Sequence, residues 1–388
     1  MQKDIYDRLA DKYKSGIYGL TLRGIDPEAM ESFKEALKIF FTQDEAALAV
    51  QLQFTPETIA DLCKRIGKDE REIYPLLKSM AKNACVWEGE VQGQKTYQLF
   101  EWISMMENFM RRTDEVDPFV EKMIKWWEDF KLIDDGFEIK PTPLRTLPVG
   151  VEIEKIGDVL PYESVHQVIR KQDYIAVAEC YCRKPKRLIG QGSCAYPLEV
   201  CLVFGSYARH LVNYGYAKRL SIEETLSLLE DCEERGLVHM ADNIKDITWL
   251  CNCCGCCCVS LSSHVKLGRT DTTSSDFIIT FDAERCTEAG ICGNCIDRCQ
   301  VKAIAIEKAG DLPIIDYDKC IGCGSCSYAC PADALSLKRR ERSTVPYEEV
   351  SKLYDDITRN IIKQILRHPI RRLVLPLFQK RHRLNKRR

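Results

Sequence analysis

Residues 320–331 read CIGCGSCSYACP, placing Cys320, Cys323 and Cys326 at three-residue intervals and Cys330 immediately before Pro331. An imperfect copy lies upstream in CTEAGICGNCIDRCQ, with Cys286, Cys292, Cys295 and Cys299. Its first gap is longer, and Gln300 stands where the second copy has proline. A similar apolar stretch follows each run, VKAIAI after the first and ADALSL after the second. Thiolates are soft, anionic metal ligands, and closely spaced turns can present several of them to one centre. Repeated Cys-x2-Cys pairs also suit tetrahedral zinc. Two paired four-cysteine runs, one ending in Cys-Pro, favour iron-sulfur chemistry instead. Gly293, Gly322 and Gly324 are expected to permit the tight backbone paths around these sulfurs.

The C-x2-C-x2-C-x3-C-P arrangement resembles that of bacterial-type ferredoxins with two [4Fe-4S] clusters, over about residues 277–338. The resemblance implies that the fourth cysteine of each run crosses to the other cluster. One cluster would then use Cys286, Cys292, Cys295 and Cys330, and the other Cys320, Cys323, Cys326 and Cys299. It also implies electron relay rather than catalysis by this module.

The chain of 388 residues has 21 cysteines, only two of them (Cys63 and Cys85) before residue 180 and none after residue 330. A small secreted disulfide scaffold fits poorly, because the thiol-poor N-terminal part is long and MQKDIYDRLADKYK lacks the apolar core of a signal peptide. Cys63 and Cys85 read as packing residues. Between residues 180 and 258 lie eleven cysteines: Cys232 stands alone, and the other ten are Cys180, Cys182, Cys194 and Cys201, then Cys251, Cys253, Cys254, Cys256, Cys257 and Cys258 in CNCCGCCC. These ten are candidate ligands of an additional iron-sulfur cluster or metal, with a thiol/disulfide centre as the alternative. Full separated CCG repeats of the heterodisulfide reductase type are absent, so that family's substrate is not transferred. His239 and His264 are expected to be ordinary polar contacts. Arg183, Lys184, Lys186 and Arg187 read as a solvated positive face, with carboxylate or phosphate attraction as the alternative. Ser221 with Glu224 forms a capping box that opens a helix ending near Gly236.

The N-terminal part is mostly helical. Residues 29–50 read as a helix, with Thr42 and Glu45 as a possible internal capping box. Thr55-Pro56 then suits a helix start, with Ile59, Leu62 and Ile66 at helical spacing before Gly67. A second helix carries the cap Asp69 and the apolar face Ile73, Leu76, Leu77 and Met80. ACVWEGE and KTYQLF follow as strands separated at Gly93. This helix-turn-helix-strand-strand order resembles a winged-helix domain over residues 42–103. Residues 51–100 hold seven acidic and seven basic side chains. A phosphate-facing surface is therefore weak, and structural or protein docking is favoured over nucleic-acid binding. Phe119, Met123, Trp126, Trp127 and Phe130 read as a helical packing stripe, KPTPLRTLPVG (140–150) as a connector and VEIEKIG as a short strand.

The fold class expected is α+β and multidomain: a helical, winged-helix-like domain over 1–140, a cysteine-rich redox or metal domain over 141–276, a ferredoxin-like dicluster module over 277–338 and a basic amphipathic segment over 339–388. Residues 357–388 contain eleven Lys/Arg and no acidic residue, against 45 basic and 58 acidic side chains before them. Ile357, Ile361, Ile362, Ile365 and Leu366 have helical periodicity beside Lys363, Arg367, Arg371 and Arg372, which suits an acidic partner or an anionic membrane surface. No run reaches the roughly 18 apolar residues of a membrane span. The expected location is cytoplasmic, with peripheral membrane attachment through the tail. The expected function is that of an iron-sulfur oxidoreductase component. It would take electrons from a flavoprotein or reduced carrier and pass them to a partner or to the central cysteines. A redox-responsive winged-helix nucleic-acid-binding regulator is the alternative from a different class.

Overall fold

The computed structural model describes residues 3–16, 27–116, 118, 120, 121, 123, 124, 138–156, 159–190, 194–286, 292–308, 310–341 and 345–367. The chain divides into two compact units: residues 1–135 with 206–218 and 365–388, and residues 136–205 with 219–364.

In the first unit, helices Ile5–Tyr13, Pro27–Phe40 and Gln43–Ala49 come first. The single helix expected over 29–50 is broken at Phe41, because Thr42 caps a new helix through a complete capping box with Glu45. Tyr13, Phe33 and Trp102 are fully buried, with the Phe33 ring edge-to-face against both Tyr13 and Trp102 at 6.0 Å. Two-residue strand β1 (Glu57–Thr58) precedes helix Ile59–Ile66, whose N-cap is Thr58 rather than the expected Thr55. The Thr58 hydroxyl accepts from the Asp61 amide, so the helix starts where a cap is available. Gly67 ends it at φ +68°, and Asp69 caps helix Glu70–Lys82. Strands β2 (Val86–Val91) and β3 (Gln94–Leu99) form a hairpin turned at Gln92 and Gly93, both with positive φ. The three strands make an antiparallel sheet in the order β1-β3-β2. Helix Trp102–Arg112 follows. Of the predicted aromatic stripe, Met123 is buried at 4% exposure, while Phe119, Trp126, Trp127 and Phe130 lie outside the described residues.

The second unit is built on strands β4 (Leu144–Leu147), β5 (Ile175–Glu179), β6 (Glu199–Phe204), β7 (Ala217–Leu220), β8 (Val238–Asp242), β9 (Trp249–Cys253) and β10 (Thr273–Ser274), in the sheet order β10-β4-β8-β9-β6-β5-β7. The stretch expected to be a connector therefore supplies a sheet strand, β4, flanked by Pro143 and Pro148. VEIEKIG is not a strand: Gly150–Glu154 forms a short helix, since the prolines confine extended pairing to the residues between them.

Alternation along the strands gives this sheet two different faces. Ile175 and Val177 of β5, Leu202 and Phe204 of β6, Ala241 of β8 and Leu250 of β9 belong to one apolar core. Helices Val165–Arg170, Ile222–Glu234 and Val350–Arg367 cover it with Val165, Ile169, Leu229, Leu353 and Ile357. Intervening residues Cys201, Cys251 and Cys253, with Val238 and Met240, face the other way, and the register pairs Met240 with Cys251 and Val238 with Cys253. The expected Ser221–Glu224 capping box opens helix Ile222–Glu234, and Gly236 follows its end at φ +74°. Val350–Arg367 is helical as expected, but Ile357 is 6% exposed in this core, with Ile361 packed against it. Those two apolar residues are thus spent on folding, whereas Ile362 and Leu366 are exposed. Pro369, Arg371 and Arg372 lie outside the described residues. Among the described residues no helix is long and apolar enough to cross a membrane.

Val301, Ala303 and Ile321 pack against the thiol face; around them, strands β11 (Phe277–Phe281) and β14 (Leu335–Arg339) pair antiparallel, as do β12 (Ile304–Ala305) and β13 (Ile314–Ile315). Between them sit two short helices, Asn294–Arg298 and Ser325–Tyr328, each entered through a glycine in the left-handed region: Gly293 at φ +66° and Gly324 at φ +79°.

Candidate metal and iron-sulfur centres

Cys299, Cys320, Cys323 and Cys326 line a single pocket, whose other walls include Val301, Ala303, Ile304, Ile321 and Ile279. Among the described residues no carboxylate lines it. Burial pushes the Cys323 thiol up to about 12 and the Cys326 thiol well above its usual value, with neighbouring cysteines adding to the rise at both. Neutral thiols are what such a pocket favours by itself. A metal bound there would displace the protons, because thiolate is the ligating form. Amide donors already point at two of the sulfurs: Ala303 N–H donates to Cys299 Sγ at 3.1 Å, and Ala334 N–H to Cys330 Sγ at 3.3 Å. Each amide lies four residues past its cysteine, so the two sequence copies repeat in local geometry. Hydrogen bonds of this kind favour anionic sulfur and tune cluster potential.

The other cysteines of this region form a second neighbourhood. Burial raises the Cys286 and Cys295 thiols, and Cys330 and Cys292 act electrostatically on both. Residues 287–291, which make up the long gap of the first copy, lie outside the described residues. At Gly322, φ is +60° and an added Cβ would stand 2.1 Å from the Phe277 carbonyl oxygen, so both conformation and close approach demand glycine.

Ten of the eleven central cysteines separate into two groups, and Cys232 is fully buried in an apolar cluster with Val200 and Leu237. Cys201 and Cys251 are opposed on β6 and β9 with sulfurs 3.9 Å apart. Cys253 acts electrostatically on Cys251, and Cys258 on Cys253. A hydrogen bond from Cys182, with Arg183 nearby, lowers Cys180, which also senses Cys201 and Cys253. The second group is Cys194, Cys254, Cys256 and Cys257, whose four sulfurs all lie within 4.8 Å of one another. Hydrogen bonds from Cys194, Cys256 and Cys257, reinforced by the Arg183 charge, hold Cys254 far below its ordinary value.

Of the four basic residues expected to form a solvated face beside Cys182, Arg187 is exposed but the other three are buried. Arg183 is 0% exposed, Lys184 5% and Lys186 8%. Arg183 donates from Nε to Cys254 Sγ at 3.3 Å and through its other nitrogens to the carbonyls of Pro197 and Asn252. A cation next to CYC looked like surface because nothing local shows that residues some seventy positions later fold over it. His239 is an ordinary polar contact as expected, buried between Asn252 Oδ1 at 2.6 Å and Glu233 Oε1 at 3.0 Å. His264 is buried at 2% exposure, and that burial lowers its pKa. Cys85 is buried with its thiol toward the Phe40 carbonyl, whereas Cys63 is only partly covered. Gln300 also proved more informative than its place after Cys299 suggested: its side chain bonds Gly255, Gly236 and Tyr196.

Comparison with known proteins locates the firmest part of this reading. A 4Fe-4S binding domain model matches residues 313–336. An uncharacterized ferredoxin of Methanocaldococcus jannaschii is 41% identical over 46 residues, 12% of this chain and 29% of that protein. The pyruvate synthase subunit PorD of the same organism is 38% identical over 61 residues, 16% of this chain and 66% of the subunit. Its counterpart from Methanothermobacter marburgensis is 37% identical over 60 residues, 16% of this chain and 64% of the subunit. The matched segments thus span less than two thirds of each relative and a small part of this chain. No solved structure matches. The chain thus carries a 4Fe-4S binding domain of the ferredoxin type at residues 313–336.

Proposed function

We propose that this protein is an electron-transfer component of an oxidoreductase assembly, relaying electrons through two [4Fe-4S] clusters toward a central thiol group. The observation that carries the reading is one apolar cluster shared by both regions. Val238, Met240, Leu261, Val301, Ala303 and Ile321 pack around Cys253 and Cys258, with Cys251, Cys299, Cys320 and Cys323 against them. Dry packing between sulfur ligands favours short transfer paths and excludes water from reduced centres.

Cys320, Cys323, Cys326 and Cys299 are the proposed ligands of one cluster, supported by their common cavity. Cys286, Cys292, Cys295 and Cys330 are those of the other, supported by their mutual electrostatic influence. A [4Fe-4S] cluster, when bound, supplies reversible one-electron chemistry. The chain orients the thiolates, directs amides at them and keeps solvent away. Cys180, Cys182, Cys201, Cys251, Cys253 and Cys258 are the candidate acceptor or further relay.

The likeness to a subunit named for pyruvate synthase supports an oxidoreductase complex as partner; the donor proposed is a flavoprotein or reduced carrier. The first unit reads as a winged-helix module that docks protein. Its element order and β1-β3-β2 sheet support the module. Lys78 of helix Glu70–Lys82 is held by Glu88 at 2.6 Å and Tyr214 at 2.7 Å, so it is turned to internal contacts rather than phosphate. The test is anaerobic iron and sulfide analysis with electron paramagnetic resonance and redox titration, followed by rapid mixing with a reduced ferredoxin. Two reducible cluster signals and fast electron uptake are expected. Zinc without sulfide in the C-terminal region would overturn the proposal.

A further inference from the structure

We propose that Cys194, Cys254, Cys256 and Cys257 bind one zinc ion in a tetrahedral four-thiolate site, separate from the clusters and from the thiol group on the sheet. Neighbouring sulfurs stand 3.7 Å apart for Cys194 and Cys254, 3.5 Å for Cys254 and Cys256, and 3.6 Å for Cys256 and Cys257. A tetrahedral ion with Zn–S bonds of about 2.3 Å spaces its ligand sulfurs about 3.8 Å apart. An iron-sulfur cube interposes its own irons and sulfides, and so needs its thiolates farther apart. Among the described residues, this quartet alone brings three or more such ligand atoms within 4.8 Å; the ferredoxin cysteines are spread around a cavity instead.

Charge points the same way. Four thiolates and one divalent ion leave two negative charges, which a buried site must balance. Arg183, fully buried, contacts Cys254 Sγ, and its remaining described hydrogen bonds go to carbonyls, with no carboxylate among them. Lys186, 8% exposed, donates to the Cys256 carbonyl at 3.0 Å. Two cations therefore face the position where the excess charge would reside. Cys254 and Cys257 are buried at 1% and 2% exposure while Cys256 is exposed, so an ion can enter from the Cys256 side. Four sulfur ligands leave no open coordination position, which makes the site structural rather than catalytic. Binding releases the thiol protons to solvent, zinc stays divalent, and no electron is exchanged. The ion would clip the segment leading into β6 to the loop after β9.

The experiment uses the full chain purified anaerobically, with zinc, iron and sulfide measured together and X-ray absorption at the zinc edge. About one zinc per chain, surrounded by four sulfurs at about 2.3 Å, is expected. Cys256→Ser, at an exposed position, should lose that zinc on chelator challenge while iron, sulfide and both cluster signals persist. Iron and sulfide lost with Cys256→Ser would overturn the proposal, as would zinc-free protein with Cys194 and Cys254 joined in a disulfide. If Cys256→Ser does not fold, the wild-type absorption spectrum decides: four sulfurs support the site, and nitrogen or oxygen ligands overturn it. Cluster signals report the electron-transfer reading separately, so either idea can fail alone.

Discussion

The side-chain oxygen of Gln300 accepts a hydrogen bond from the Gly255 amide at 2.8 Å, joining the end of the first ferredoxin cysteine run to the middle of CNCCGCCC. Its amide nitrogen donates to the Gly236 carbonyl and the Tyr196 hydroxyl, each at 3.0 Å. The residue in the place of a proline is thus the junction between two thiol-rich regions.

Gly255 tolerates no side chain at this junction. An added Cβ would lie 2.0 Å from the Gln300 carbonyl oxygen, which is backbone and cannot swing aside. Gly255→Ala should destabilise the second unit by about 1–3 kcal/mol, the usual range for overpacking. Gln300→Leu should cost a similar amount, about 1–3 kcal/mol, by leaving the Gly255 amide without its acceptor. Anaerobic unfolding rates compared with wild type would measure both, and unchanged rates would remove the junction from the account.

Crossed ligation gives a pairing rule. Cys299→Ser should alter the same cluster signal as Cys320→Ser, and Cys330→Ser the same signal as Cys286→Ser. Electron paramagnetic resonance of the four variants distinguishes this from uncrossed ligation, in which Cys299 would group with Cys286.

Arg183→Met removes a fully buried cation from beside Cys254 while keeping much of its volume. Loss of an outer partner of a metal ligand typically weakens metal affinity roughly 10–100-fold. The same drop is expected in zinc retention, with Arg183→Lys falling between Met and wild type. Competition with a chromogenic chelator measures it.

In the first unit, burial lowers His210 to about 4, although the negative charge of the Glu88 carboxylate acts in the opposite direction. An unfolded histidine titrates near about 6.5. The native state therefore favours the neutral ring, and its contribution is fully present above that pH and lost as pH falls from there toward about 4. NMR should show a His210 ring still neutral at pH 5. His210→Gln should flatten the pH dependence of this unit's stability over the same window.

Much of the local structure was legible from short-range chemistry. The capping boxes at Thr42 and Ser221, the stop at Gly67 and the left-handed glycines before both short ferredoxin helices depend on residues only a few positions apart. The boundary at Thr42 was nevertheless misread, because apolar periodicity continues past the cap that interrupts the helix. β4 was missed because its pairing partners lie near residues 240 and 273, and four residues between prolines carry no signal of that pairing.

By itself the sequence determined the ferredoxin chemistry, since the cysteine spacing of 320–330 is a local pattern that survives without knowledge of the rest of the chain. Only the tertiary structure decided how the ten candidate ligands among the eleven central cysteines divide. Strand alternation turns Cys251 and Cys253 to one face of the sheet, while the turn after β9 carries Cys254, Cys256 and Cys257 to Cys194 and the buried Arg183. In CNCCGCCC adjacent sulfurs look equivalent; a strand ending at Cys253 makes them diverge, because side-chain direction there is set by pleat and pairing rather than by spacing.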